Sequence, residues 1–139
     1  MEIAMDGARL AAFMEEEFPQ VAGDFVIESV GEELVVRLKV GELHLRPGGT
    51  VSGPTMFALA DVSVWLAILS RIGPVALAVT TGASIDFMRK PAAGRDLIAR
   101  ARLLKLGRVL AVGDVLIFSE GEAAPVARSS MTYSIPPKG

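Results

Sequence analysis

Apolar residues recur along this chain with two different periods, and the switches between them predict an order of elements. Between residues 8 and 18, Leu10, Phe13, Met14 and Phe18 fall at i, i+3, i+4 and i+8 with acids between them. That stripe predicts a short amphipathic helix. Runs 23–30 and 33–40 read as two strands, because Leu34, Val36, Leu38 and Val40 alternate with other side chains and Gly31-Glu32 separates the runs. Residues 46–50, RPGGT, form a loop by their Pro and Gly content. Residues 54–70, PTMFALADVSVWLAILS, lack alternation and are too long for one strand, and Pro54 stands where a first helical residue would. This second helix is apolar nearly all round, so it should be buried on most sides, and Gly73-Pro74 ends it. Four strand-like runs follow, 76–89, 96–106, 108–118 and 124–134, with Gly107 and Gly121 at tight hairpins. Arg100 and Arg102 alternate with Ala99, Ala101 and Leu103, as in a half-exposed strand. A mostly antiparallel sheet wrapped around one central apolar helix, an α+β arrangement, satisfies this order.

Composition sharpens the picture. At 139 residues the chain is read as one domain spanning 1–139, with 22% charged residues and a net charge of −2. A mean hydropathy of +0.46 is high for a soluble monomer and predicts apolar surface covered by another subunit. No cysteine and one histidine exclude disulfides, thiolate nucleophiles and cysteine zinc sites, and no metal site is expected. Acids in the first 18 residues argue against an export signal, so a cytoplasmic setting is expected. The apolar helix falls short of the roughly 20 residues of a membrane span and carries Asp61.

Three features carry chemistry. Asp61 is the only charge between Arg46 and Arg71 and shares a helix face with Phe57, Ala58, Val64, Trp65 and Ile68. A carboxylate there either surfaces at the sheet's edge, or pairs with an arginine, or serves as base or nucleophile in a dry cleft. Residues 48–54, GGTVSGP, feed a helix N-terminus, where free backbone N–H groups and the helix dipole suit an oxyanion or phosphate. Gly53 and Asp61 lie eight residues apart, about 12 Å along a helix. Two groups acting on one centre must each lie about 3 Å from it. If Gly53 and Asp61 act together, they must therefore come from different chains of a dimer. The third feature is basic: residues 89–108 hold seven of the fourteen Lys and Arg against one acid, Asp96. With a pI of 5.4, general nucleic-acid binding is not expected. Arg89, Lys90, Lys105 and Arg108 lie near turns and could meet the phosphates of a nucleotide-bearing ligand. Arg100 and Arg102 read as a solvated strand face. Met56, Phe57 and Trp65 read as core or pocket lining, and Thr80, Thr81 and Ser84 as strand residues able to hold a water or ligand.

Residues 46–54 (RPGGTVSGP), FALAD ending at Asp61, 78–91 (AVTTGASIDFMRKP) and 105–115 (KLGRVLAVGDV) together resemble the hotdog-fold acyl-CoA thioesterases of the phenylacetate-degradation (PaaI-like) group. The likeness runs from about residue 42 to 135. It implies a long central helix inside an antiparallel sheet, a homodimer with joined sheets, often a homotetramer, and hydrolysis of a thioester of coenzyme A or a related carrier. It places Asp61 on the catalytic carboxylate, Gly53 on the glycine whose N–H polarises the carbonyl, and Thr80 where a relative's hydroxyl holds the attacking water. Ser52-Gly53-Pro54 replaces a frequent His-Gly-Gly, and Arg46 stands where many relatives carry Asn or Gln. A guanidinium only donates, so Arg46 could pair with Asp61, polarise the thioester, or bind a carboxylated acyl chain.

The leading expectation is a thioester hydrolase acting on a small, medium or aryl acyl-CoA. Asp61, Gly53, Thr80 and Arg46 form its catalytic set. Ser52, Pro54, Phe57, Trp65, Thr81, Arg89, Lys90, Lys105 and Arg108 line the substrate. No cofactor is expected beyond the coenzyme A of the substrate, and no nucleic-acid or membrane partner. The alternatives are a non-catalytic acyl-CoA or aromatic-acid binding protein of the same fold, a hydratase or dehydratase using His44 with an acid, and a purely structural oligomer.

Overall fold

A computed structural model describes residues 2–137. Helix α1 (Gly7–Glu17) is followed by a four-residue helix α2 (Pro19–Ala22), strands β1 (Phe25–Ser29) and β2 (Glu33–Leu38), and a 3-10 turn (Glu42–His44). Helix α3 (Gly53–Ile72) and strands β3 (Val79–Phe87), β4 (Leu97–Leu106), β5 (Leu110–Ser119) and β6 (Pro125–Ser134) complete the chain. The six strands form one antiparallel sheet in the order β1-β2-β4-β5-β6-β3. The α+β expectation holds, and so does the single apolar helix in the hollow of the sheet. Sequence order and sheet order part company at β3, which pairs with β6 and so stands at the edge far from β2.

Alternation explains how the sheet grips α3. Leu34, Val36 and Leu38, then Leu97, Ala99 and Ala101, then Val115 and Ile117, then Ala127 and Met131 all point inward and are buried. They meet Leu59, Leu66, Ile68 and Leu69 of the helix, each fully shielded from water. Small inward residues let the helix lie close. A Cβ added at Gly113 would stand 3.0 Å from Val64 Cγ1 and 3.2 Å from Cγ2, so glycine lets β5 lie closer to that turn of α3 than a side chain would. The buried hydroxyls of Ser63 and Ser70 donate to the carbonyls of Leu59 (2.7 Å) and Ala67 (2.6 Å), which satisfies them without breaking the helix. Helix α1 closes the open side with Leu10 and Met14, capped by Asp6 accepting from the Arg9 amide.

Helix α3 is 20 residues long, longer than the 54–70 expected. By length and composition it would qualify as a membrane span, so the length argument against one does not stand; its apolar surface is instead taken up inside the sheet. Pro54 sits one position later than expected, because Gly53 already belongs to the first turn and Ser52 is the N-cap. The third and fourth strands begin and end within a few residues of expectation. The strand expected at 76–89 starts only at Val79, since the chain is still turning after Gly73-Pro74, where the Val75 amide donates to the Gly73 carbonyl.

Candidate active site

Asp61 lies in the middle of α3 and is half-buried, and its carboxylate is held by two hydroxyls. Thr80 on β3 donates to Asp61 Oδ1 at 2.6 Å, and Tyr133 on β6 donates to the same oxygen at 2.7 Å. The Tyr133 hydroxyl also lies 3.0 Å from the backbone carbonyl oxygen of Asp61. Among the described residues Oδ2 accepts no hydrogen bond. Burial pushes the Tyr133 phenol well above the usual tyrosine range, and the Asp61 carboxylate beside it pushes the same way while the Thr80 hydroxyl opposes both. The phenol is thereby held as a neutral donor.

A bulge delivers Thr80 to this place. On β6 the inward residues are Ala127, Ser129, Met131 and Tyr133, and their β3 partners are Phe87, Ile85, Ala83 and then Thr80. Regular alternation would have put Thr81 opposite Tyr133. The register slips between Thr80 and Gly82, so Thr81 becomes the extra residue and Thr80 turns inward. Thr81 is exposed, its hydroxyl 3.4 Å from the Thr132 carbonyl, and it does not line the Asp61 pocket.

The carboxylate opens into a pocket of about 420 Å³ lined by Val62, Trp65, Ala78, Val79 and Phe18, with Glu17 and Gln20 at its rim. Trp65 is 8% exposed and fixed by Phe13 (ring centroids 6.2 Å apart, stacked) and Phe18 (6.3 Å, edge-on). Phe57, expected beside it, is partly exposed on α3 and is not part of this pocket. A larger apolar groove of about 1300 Å³ adjoins it, sharing Ala76 and Leu77, and is edged by Arg71 and Arg108.

Gly53 stands at the opposite end of β3 within the same chain. A Cβ there would lie 3.2 Å from Phe87 Cζ, so the helix N-terminus packs against the last residue of β3 while Asp61 packs against its start. Ser52 accepts from the Thr55 amide (3.3 Å) and shares a hydrogen bond with the Thr55 hydroxyl (2.8 Å), so its side chain caps the helix. Pro54 lacks an amide proton at a position where the helix has no use for one. Arg89, which donates to the Pro125 carbonyl at 2.8 Å, and the exposed Lys90 follow β3 at this same end. Lys105 and Arg108 belong to the β4–β5 hairpin, exposed, on the Tyr133 side of the sheet.

Two residues stand apart from Asp61 within the chain. Arg46 is exposed in the loop before α3, on the Gly53 side, where its amide donates to the Thr50 carbonyl at 2.9 Å, and the partners of Asp61 are neutral hydroxyls. His44 is not placed on Asp61 either. Its Nδ1 accepts from the Gly41 amide at 2.8 Å and its Nε2 lies 3.3 Å from Asp24, so the ring braces the 3-10 turn. Tyr133 escaped sequence reasoning because an aromatic residue in an apolar strand reads as core. The available signal was that it is the only tyrosine in a chain of six phenylalanines, and a buried hydroxyl needs a partner.

Comparison with known proteins agrees with the fold. Residues 48–135 match the Thioesterase superfamily. A solved structure of a thioesterase candidate from Silicibacter sp. TM1040 is 64% identical, covers 99% of this chain and 96% of its own, and superposes with a TM-score of 0.93. A variant of the phenylacetic acid degradation protein PaaI from Thermus thermophilus is 31% identical, over 85% of this chain and 99% of that one, with a TM-score of 0.72. An esterase candidate of Pseudomonas aeruginosa is 32% identical over 112 residues, 81% of this chain and 82% of that protein. This chain belongs to the thioesterase superfamily, and it is a thioester hydrolase built on the hotdog fold.

Proposed function

We propose that this protein hydrolyses the thioester of a small, medium or aryl acyl-CoA, with Asp61 as the working carboxylate and the Gly53 amide of a partner subunit as the oxyanion donor. The observation that carries this reading is Asp61 itself: a half-buried carboxylate on an apolar helix, with one oxygen tied down by neutral hydroxyls and the other untied beside a pocket. Water attacks the thioester carbonyl as Asp61 takes its proton, the tetrahedral oxyanion collapses, and the thiolate leaves and is protonated. In the other route open to it, Asp61 attacks the carbonyl itself, the C–S bond breaks and the thiolate leaves and is protonated, and water then opens the mixed anhydride to release the acid and restore the carboxylate. Both routes need a donor at the developing oxyanion, where one such group is worth about 10²–10³ in turnover.

The edge strand β3 supports the shared site. It carries exposed Val79, Phe87 and, just beyond it, Met88, an apolar edge of the kind that pairs with another strand. Antiparallel pairing of β3 with its copy sets the Phe87 end of one chain, where Gly53 sits, beside the Thr80 end of the other, where Asp61 sits. A homodimer, able to pair further into a homotetramer, thus completes two sites that neither chain holds alone. Trp65 and Phe18 wall the acyl group, and Arg108 with the partner's Arg89 and Lys90 meets the carrier phosphates. The setting is the cytoplasm, where such esters are made and used.

Free-thiol release from a panel of short, medium, long and aryl acyl-CoA esters tests this. Wild-type protein is expected to hydrolyse at least one class, and Asp61→Ala to lose that turnover while keeping its fold and oligomeric state. Turnover retained in Asp61→Ala overturns the assignment of the carboxylate, and silence of folded wild type across the panel overturns the acyl-CoA reading.

A further inference from the structure

We propose that Tyr133 is a positioning residue for the reaction: with Thr80 it pins Asp61 Oδ1, so that Oδ2 alone is presented to the substrate pocket. This rests on the reading of Asp61 as the working carboxylate.

The terminal torsion of an aspartate is broad, and a free carboxylate exchanges its two oxygens easily. Two hydroxyl donors on the same oxygen, at 2.6 and 2.7 Å, remove that freedom. The approach of the Tyr133 hydroxyl to the Asp61 carbonyl oxygen, at 3.0 Å, sets the phenol against the helix backbone as well as the side chain. Carboxylate, helix and strand are thereby tied at one point. Thr80 and Tyr133 are direct cross-strand partners, so the bulge that turns Thr80 inward also brings the two hydroxyls together. Tyr133 is 3% exposed and borders the pocket beside Asp61 and Thr80, with its hydroxyl committed to Oδ1, so Oδ2 is the oxygen left to meet the substrate. The groups that face the Tyr133 hydroxyl are Asp61 from α3 and Thr80 from β3; Glu17, at the pocket rim, is the other carboxylate of the cavity. Hydrogen bonds to an ionised group are the strong ones, and their loss is felt where geometry decides rate.

Tyr133→Phe removes the hydroxyl and keeps the ring. On an ester that wild type hydrolyses, kcat is expected to fall roughly ten- to hundred-fold with KM within about two-fold. Thr80→Ser, which keeps the second donor, is expected to lose less of the rate than Thr80→Val, which removes it, and equal losses count against pinning by two donors. A merely structural tyrosine would instead lower the melting temperature and leave kcat per folded molecule intact, and that result overturns the proposal. Because Tyr133 is the only tyrosine, isotope labelling of tyrosine gives one set of ring resonances that can be read without substrate. Asp61→Asn, which removes the ionised partner of the phenol, is expected to shift the Tyr133 resonances while the fold is kept. Identical Tyr133 resonances in the two proteins overturn the contact, even where Tyr133→Phe fails to fold. If wild type cleaves no ester, the hydrolase reading falls and the role of Tyr133 with it; if wild type cleaves and Tyr133→Phe matches it, only the role of Tyr133 falls.

Discussion

Thr80 and Thr81 are adjacent, chemically identical and opposite in consequence. A single inserted residue in the ladder sends the first onto the carboxylate and the second to the surface. Thr80→Val, which keeps the shape and removes a donor to an ionised group, is expected to lower turnover roughly ten-fold or more, whereas Thr81→Val should stay within about two-fold. Parallel thiol-release assays on the two variants decide this, and equal effects would mean that the bulge does not select between them. The sequence offered both threonines as site residues because a pair of threonines in a strand contains no sign of where a register slips. The same limit applies to Tyr133. Asp61 was legible, since a lone charge within an apolar helix demands an account, but its partners depend on which strands meet over it. Arg46, the cation of the loop before α3, is solvent-facing within the chain, while two neutral hydroxyls from β3 and β6 hold the carboxylate.

At the level of elements, periodicity located α1 and the alternating strands, while α3 showed itself by an apolar run too long for a strand between Pro54 and Gly73. The four-residue α2 and the three-residue 3-10 turn went unseen, being too short to show any period. What periodicity does not convey is how closely two elements approach. Gly113 is the informative case: it sits in a regular strand, with Val64 of α3 directly above it. Replacing it by alanine puts a methyl group 3.0 Å from Val64 Cγ1, closer than ordinary van der Waals contact, so Val64 or the backbone beneath it must give. Overpacking of this kind costs about 1–3 kcal/mol. Gly113→Ala is therefore expected to lower the urea midpoint by that equivalent with an unchanged slope, and a midpoint identical to wild type would show that the helix has slack there. Since Asp61 lies one turn before Val64 on the same helix, turnover should fall as well.

On the scale of the whole molecule, sheet order is what separates the two halves of the site. Hydrophobic pattern gave the strands but not their neighbours, for pairing across the chain is set by the packing of complete faces and leaves little local trace. Placing β3 beyond β6, at an edge, exposes its long apolar flank and leaves Gly53 at one end and Asp61 at the other. A site shared across paired β3 strands makes a quantitative demand. Gly53→Pro removes the proposed oxyanion donor and Asp61→Ala removes the carboxylate, so each variant alone should be inactive. When the two are co-expressed in equal amounts with different tags, half of the dimers are mixed. In each mixed dimer one site carries both lesions and the other carries neither. The mixture should then recover about one quarter of wild-type turnover, and the doubly purified mixed dimer about one half. Were both groups drawn from one chain, every site in every dimer would contain a lesion and mixing would restore nothing. Mixed dimers that stay silent, with each variant folded, would thus refute the shared site while leaving the fold and the chemistry of Asp61 standing.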